Sequence, residues 1–279
     1  MPLKPSYQTV KVEKDQTNKG ITWAILNRPE KRNAISPQLC YDMEDVLMCL
    51  ETDEDTKAIV LTGAGPAFSA GMDLKEFFRA NDNNPDGQFR AGTANRHWNW
   101  EILSMMRKPT IAMVNGYCFG GGFIPLVGCD IAIAADEATF GLSEVNWGIL
   151  PGGIVSKVIQ MTMSHRDALF YGMTGRPFTG KQAAEMRLVN YSVPSAKLRD
   201  ETISLCKELM EKPPMALAYT KQAIRAVATM DIPAAAEYLA AKSAALRWVD
   251  RDKDARNQGI EKFIDKKEYR PGLQTMKVT

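Results

Sequence analysis

The stretch Asn115-Gly116-Tyr117-Cys118-Phe119-Gly120-Gly121-Gly122, leading through an apolar run to Phe140-Gly141-Leu142-Ser143-Glu144-Val145, decides how the rest of the chain is read. Three consecutive glycines between a β-type run and a helix-forming one let backbone approach a ligand closely. They also leave N–H groups unpaired where the helix begins, and such a place stabilises negative charge. Glu144, a carboxylate on a loop shortly downstream, can deliver or remove a proton beside the atom whose charge those N–H groups hold. Together they suggest enolate chemistry. Taken singly, the glycines would equally suit close helix–sheet packing, and a lone loop glutamate is ordinarily a solvated surface charge.

Outward from this stretch, the chain from Tyr7 to about Cys129 alternates β-type and helical runs, the pattern of a layered α/β core. Strands are predicted at Ile21–Leu26, closed by Asn27-Arg28-Pro29; at Ala58–Thr62, closed by Gly63-Ala64-Gly65-Pro66; and at Thr110–Val114, after Pro109. Between the first two, Ser36 with Pro37 marks a helix start, and Leu39, Met43, Val46, Leu47 and Leu50 recur on one buried face. Asn81 to Gln88 is rich in Asn, Asp, Pro and Gly and reads as a mobile surface loop that could admit substrate. From Gly153 onward the patterns are mainly helical, punctuated by Thr174-Gly175, Pro213-Pro214 and Ile232-Pro233.

Composition narrows the class. The 279 residues are 45% hydrophobic, enough for a substantial core, and 35 basic against 33 acidic residues leave no charge excess calling for a nucleic-acid or membrane partner. The start, Met1-Pro2-Leu3-Lys4-Pro5, lacks a leader pattern and no stretch reaches the length of a membrane span, so a cytoplasmic protein is expected. Five cysteines without a C-x-x-C pair indicate neither a disulfide framework nor a zinc site, and buried free thiols are expected. Cys118 lies among the glycines but has no histidine near it in sequence to activate it. The two histidines, His97 and His165, lack metal-ligand spacing, so packing or surface roles are expected and no metal is. Tyr117, Phe119 and Phe123 could each wall an aromatic pocket or pack in the core.

Ala70-Gly71-Met72-Asp73-Leu74, the glycines at 120–122, Ser143-Glu144 before Trp147-Gly148, and Asn27-Arg28-Pro29-Glu30-Lys31-Arg32-Asn33-Ala34 together resemble the crotonase (enoyl-CoA hydratase/isomerase) superfamily. Within it the chain is similar to the hydroxycinnamoyl-CoA hydratase-lyases through 71–79, Lys108 to Gly116, Asp136 to Glu144 and Arg270-Pro271-Gly272-Leu273. The resemblance implies an α/β crotonase (ClpP-like) fold, a spiral of ββα units over 1–200, with a C-terminal helical subdomain over 201–279 that closes pockets and joins subunits into a trimer or a dimer of trimers. It implies backbone N–H groups of Met72 and Gly121 as an oxyanion hole and Glu144 as acid/base over the Cα–Cβ bond. Lys31, Arg32, Ala70 and Leu74 would take coenzyme A, which is part of the substrate, so no separate cofactor is implied. Ser143 and Trp147 match positions near the thioester, Gly152 is a further substrate- or CoA-binding candidate, and Phe77, Ile124 and Tyr238 fall at or near positions of the acyl pocket. Without the family, Lys31 and Arg32 are simply a basic turn.

The implied reaction is hydration of a feruloyl-CoA-like thioester and retro-aldol cleavage to a vanillin-like aromatic aldehyde and acetyl-CoA. Three positions depart from the hydratase-lyase pattern. Phe77 and Ala240 stand where tyrosines hold the ring's para-hydroxyl, and Ile124 stands where hydratase-lyases have serine and ordinary hydratases a second glutamate. Isoleucine cannot bind or activate water, so two-carboxylate hydration is excluded and Glu144 remains the titratable group, its pKa raised by apolar surroundings. Another crotonase reaction, hydration or isomerisation of a different acyl-CoA, is the alternative. A further alternative is a non-catalytic RNA-binding relative, against which the near-neutral charge and lack of a basic stripe speak.

Overall fold

A computed structural model of the chain describes residues 3–251, 255–268 and 270. Met1, Pro2 and the Pro271-Gly272-Leu273 part of the C-terminal match lie outside the described residues. In chain order the strands are β1 (Val10–Lys14), β2 (Ile21–Leu26), β3 (Ala58–Gly63), β4 (Ala67–Ser69), β5 (Thr110–Val114), β6 (Tyr117–Phe119), β7 (Ile131–Ala135), β8 (Thr139–Gly141), β9 (Phe178–Thr179) and β10 (Tyr191–Val193). The helices are α1 (Pro37–Thr52), α2 (Pro85–Arg96), α3 (Leu103–Met105), α4 (Phe123–Gly128), α5 (Val155–Thr162), α6 (His165–Thr174), α7 (Gly180–Glu185), α8 (Ser195–Met210), α9 (Pro214–Val227), α10 (Ile232–Val249) and α11 (Ala255–Ile260).

Two sheets organise the core. One runs β1-β2-β3-β5-β7-β10 and the other β4-β6-β8-β9. From β3 onward, successive strand pairs β3/β4, β5/β6 and β7/β8 each give their first strand to the large sheet and their second to the small one, all pairing parallel within their sheets. This is the spiral of ββα units expected from the resemblance, and it places β4, β6 and β8 side by side with their C-terminal ends together. The strands predicted from turn signals occur where expected, as β2, β3 and β5. They are almost wholly buried, as parallel strands covered on both faces must be.

Helix α1 starts as its sequence dictates. The Ser36 Oγ accepts the Leu39 N–H at 3.2 Å, Pro37 occupies the first turn, and the Leu39, Met43, Val46, Leu47, Leu50 stripe is buried. The expected loop from Asn81 to Gln88 is corrected: α2 begins inside it at Pro85. The Asn84 Oδ1 accepts the Gly87 N–H at 3.0 Å, so Asn and Pro serve here as cap and first-turn residue rather than as loop punctuation.

The 200/201 position falls inside α8, whose Leu198, Thr202 and Cys206 are buried, so that helix is part of the core and the chain leaves it only after Met210. Helix α9 is pinned to the sheet by charge: Lys221 Nζ reaches Asp130 Oδ2 at 2.5 Å, and Arg225 reaches Asp130 Oδ1 at 3.0 Å and the Gly128 carbonyl at 2.9 Å. Helix α10 has no buried residue and exposes Ile232, Leu239, Trp248 and Val249. Among the described residues no helix is long and apolar enough to cross a membrane.

Candidate active site

The three motifs far apart in sequence meet because each follows a strand of the small sheet. Ala70 to Met72 follow β4, Gly120 to Gly122 follow β6, and Ser143-Glu144 follow β8. Ligands commonly bind beyond the carboxyl ends of parallel strands, where the backbone turns away and leaves a crevice.

Met72 forms a parallel bridge with Ile35, in which the Ile35 N–H donates to the Gly71 carbonyl at 2.7 Å and the Asp73 N–H donates to the Ile35 carbonyl at 2.9 Å. In that arrangement the flanking residues carry the bonds, and the N–H of Met72 itself points to the other side of the strand. There it meets the glycines: a Cβ built on Gly121 would lie 3.4 Å from Met72 N. Gly120 to Gly122 form a 3-10 turn entering α4, so the Gly121 N–H is one of the donors a helix start leaves without an intrahelical partner. Gly71 has φ +85°, and a Cβ there would stand 2.7 Å from the Phe119 carbonyl oxygen and 3.1 Å from Gly121 N. Only glycine permits this approach of the two segments.

Glu144 sits in a 3-10 turn, Ser143–Trp147, rather than in a featureless loop. A Cβ on Gly120 would lie 3.0 Å from its Oε1, so the carboxyl stands directly against the glycine turn. Its Oε2 is buried without a hydrogen-bond partner. Burial pushes the carboxyl above the usual range, only partly offset by its own backbone N–H. A carboxyl so placed holds a proton readily and has a free lone pair to accept one.

The basic turn is built by two residues the motif reading passed over. Asn33, fully buried, accepts the Arg28 N–H at 2.9 Å and donates to the Ala64 and Ala67 carbonyls at 2.9 and 2.7 Å. Arg28 ties the turn to the oxyanion segment through Asp73 at 3.1 Å and Glu76 at 2.7 Å. Although burial opposes it, the Glu76 N–H and the Arg28 guanidinium hold the Asp73 carboxyl below its usual range. Both Lys31 and Arg32 are exposed. The Arg32 guanidinium lies 5.0 Å from the centre of the Tyr117 ring.

A cavity of about 1090 Å³ joins these parts. Its wall includes Lys31, Ala70, Met72, Leu74, Phe77, Gly121, Ile124, Ser143, Glu144, Trp147 and Gly152. Arg32 and Tyr238 are not brought to it; Tyr238 lies half-buried on α10. The aromatic residues flanking the glycines divide: Phe119 lines the cavity, Tyr117 stacks under Arg32, and Phe123 packs in the core with Phe140 and Phe178. Cys118 is fully buried and desolvation pushes its thiol far up, which removes it as a nucleophile. His97 is half-buried on the π-helical stretch His97–Ile102, with Nδ1 3.0 Å from Glu44, away from the cavity wall. The sequence reading missed Asn95, Arg96 and Asn99, which line the cavity from α2 and the π-helical stretch. They lie beyond the loop expected at Asn81 to Gln88, and no motif along the chain marks them.

Comparison with known proteins identifies the family and the fold. The enoyl-CoA hydratase/isomerase family model matches residues 16–271. A hydroxycinnamoyl-CoA hydratase-lyase of Pseudomonas fluorescens is 52% identical over 272 residues, 97% of each chain. Among solved structures, an enoyl-CoA hydratase from Bacillus anthracis superposes with TM-score 0.80 at 27% identity, covering 93% of this chain and 97% of its own. One from Geobacillus kaustophilus superposes with TM-score 0.81 at 26% identity, covering 97% of this chain and 99% of its own.

Proposed function

Since this chain belongs to the enoyl-CoA hydratase/isomerase family, with the crotonase fold, we propose that it is a lyase that hydrates a hydroxycinnamoyl-CoA thioester and cleaves the product by retro-aldol reaction to an aromatic aldehyde and acetyl-CoA. The observation that carries the reading is Glu144, whose carboxyl stands against the glycine turn with a buried, unpartnered Oε2, in a cavity whose lining among the described residues holds no second glutamate and whose Asp73 is tied to Arg28.

In the first step water adds at Cβ and gives up one proton to the Glu144 carboxylate, which delivers it to Cα, while the thioester oxygen takes hydrogen bonds from the Met72 and Gly121 N–H groups. Preorganised donors of this kind contribute about 3 kcal/mol each to lowering the barrier. In the second step Glu144 accepts the β-hydroxyl proton, the Cα–Cβ bond breaks, and the electron pair passes to the thioester as an enolate. Glu144 returns that proton to the enolate at Cα, which releases acetyl-CoA, and the hydroxyl carbon leaves as the aldehyde. One carboxyl serves both steps because burial raises its pKa, which makes the carboxylate a stronger base and lets it hold the proton between its uptake and its delivery. Ile124, 3% exposed at the cavity wall, supplies no second carboxylate, which supports a reaction that relies on Glu144 alone, on an aryl or another acyl thioester.

Coenzyme A is placed along the Asn27 to Ala34 turn, with Lys31 and Arg32 toward its phosphates and Ala70 and Leu74 along its pantetheine, and Ser143, Trp147 and Gly152 around the thioester. The uncovered apolar face of α10 supports a trimer or a dimer of trimers, in which Tyr238 reaches a neighbouring subunit's cavity. Sedimentation at micromolar concentration should return a trimer or hexamer, and a monomer would contradict that part. Incubation with feruloyl-, coumaroyl-, cinnamoyl- and crotonyl-CoA, with products separated by chromatography, tests the reaction. Aldehyde and acetyl-CoA are expected from the aryl thioesters, and hydrated product alone would refute the cleavage.

A further inference from the structure

The turn that carries Lys31 and Arg32 and the segment that carries the Met72 N–H are locked to each other by a buried cation. Arg28 is 8% exposed, and its guanidinium meets three oxygens. Nη1 donates to the Ala34 carbonyl at 2.7 Å and to Asp73 Oδ2 at 3.1 Å, and Nη2 donates to Glu76 Oε1 at 2.7 Å. The first oxygen belongs to the basic turn and the other two to the segment that follows Met72. Each side is stiff in itself. The Arg28 carbonyl accepts the Lys31 and Asn33 N–H groups at 2.9 Å each, and Arg32 and Asn33 hold φ of +48° and +56°. On the other side, Asp73 Oδ1 accepts the Lys75 and Glu76 N–H groups at 3.1 and 2.9 Å. Backbone completes the junction: the Arg32 carbonyl accepts the Ala70 N–H at 2.8 Å, and Ile35, next to Ala34, forms the bridge with Met72.

A planar guanidinium with its donors in a fixed fork suits such a junction, because a shift of either side breaks a charge-assisted bond. Lys31 lines the cavity and is exposed, so a phosphate group drawn to it loads the turn. That load passes to Met72 through Arg28, Asp73 and Ile35 rather than dissipating in a loop. We propose that Arg28 is a positioning residue that couples occupation of the basic turn by the nucleotide end of the thioester to the alignment of the Met72 N–H with the reacting carbonyl. Binding energy from a part of the substrate remote from the chemistry is then realised in the transition state, and it shows in kcat more than in KM. The inference rests on the CoA-thioester reaction proposed above.

The test measures kcat and KM for aldehyde release from feruloyl-CoA and from the N-acetylcysteamine thioester of ferulate, which keeps the acyl group and the thioester but lacks the phosphates. Parent, Arg28→Lys and Glu76→Ala are compared. Arg28→Lys keeps the buried charge opposite Asp73, but a single ammonium cannot span the three oxygens that the fork reaches from two nitrogens. Glu76→Ala removes one of those oxygens at a partly exposed position. Both variants should melt near the parent's temperature, and Glu76→Ala decides alone if the Arg28→Lys chain is unfolded. In the parent, kcat for the CoA thioester should exceed that for the truncated one by about 10-fold or more; in the variants the ratio should fall below about threefold. A site merely loosened would turn over both substrates more slowly and keep the ratio. A parent ratio near one, or a ratio that the folded variants retain, would overturn the role of Arg28 and leave the reaction standing. No aldehyde from feruloyl-CoA in the parent would overturn the reaction, and this inference with it.

Discussion

Replacing Gly71 by alanine should damage catalysis far more than its distance from the reacting carbons suggests. The residue has φ +85°, a left-handed conformation that costs a side-chain-bearing residue roughly 1–2 kcal/mol. The added methyl would also stand 2.7 Å from the Phe119 carbonyl oxygen, about 0.7 Å inside ordinary contact, and 3.1 Å from Gly121 N. Both neighbours are backbone, so no side-chain rotation relieves the clash. The segments carrying the Met72 and Gly121 N–H groups must move apart, and a displacement of about 1 Å in catalytic geometry commonly lowers the rate about 100-fold. Gly71→Ala should therefore show kcat for aldehyde release lowered about 100-fold, a larger factor than any change in KM, because the donors act on the enolate more than on the bound thioester. The strain and clash together should destabilise the fold by roughly 2–3 kcal/mol, lowering Tm by about 2–4 °C for each kcal/mol in a chain of this size. Continuous measurement of the aldehyde absorbance together with calorimetry reads both quantities. A folded Gly71→Ala enzyme with kcat within about threefold of the parent would refute the reasoning, since the two amides would then not need this spacing.

Two further outcomes follow from the buried charges. Burial raises the Glu144 carboxyl in the folded chain, which therefore holds that proton more tightly than the unfolded chain does. Ionising it consequently costs stability as pH rises from the ordinary carboxylate range through the raised value, and the penalty is complete above it. Glu144→Gln removes the penalty, so its Tm should exceed the parent's at about pH 8, with the gap closing by about pH 4 where both carry a neutral group; a gap independent of pH would contradict the shift. Asp130→Asn leaves Lys221 and Arg225 without the carboxylate that pins α9 to the sheet, and should destabilise the chain by about 3 kcal/mol in urea unfolding. An unchanged midpoint would show that the helix is held by packing alone.

Much of this arrangement was readable from residue order, for identifiable reasons. Strands β2, β3 and β5 end at Pro, Gly or Asn punctuation, and α1 carries both its cap and its stripe, so local chemistry agrees with the fold at those places. The glycine turn and Glu144 were legible because few other uses require glycine where two backbones touch. The start of α2 was not, since Asn84-Pro85-Asp86-Gly87 spells a loop and a capped helix equally well until tertiary contacts choose. Asn95 and Asn99 escaped for another reason: their place on the cavity wall is set by tertiary packing, which no spacing along the chain announces. Asn33 was quoted within a motif, yet its three backbone partners lie at 28, 64 and 67, and no pattern along the chain announces that convergence.

The most direct measurement is single-turnover formation of acetyl-CoA and aldehyde from feruloyl-CoA by Glu144→Ala beside the parent enzyme. If one carboxyl both protonates Cα and takes the β-hydroxyl proton, hydration and cleavage should each slow by at least about 1000-fold. Either step running within about tenfold of the parent rate would contradict the assignment of proton transfer to Glu144.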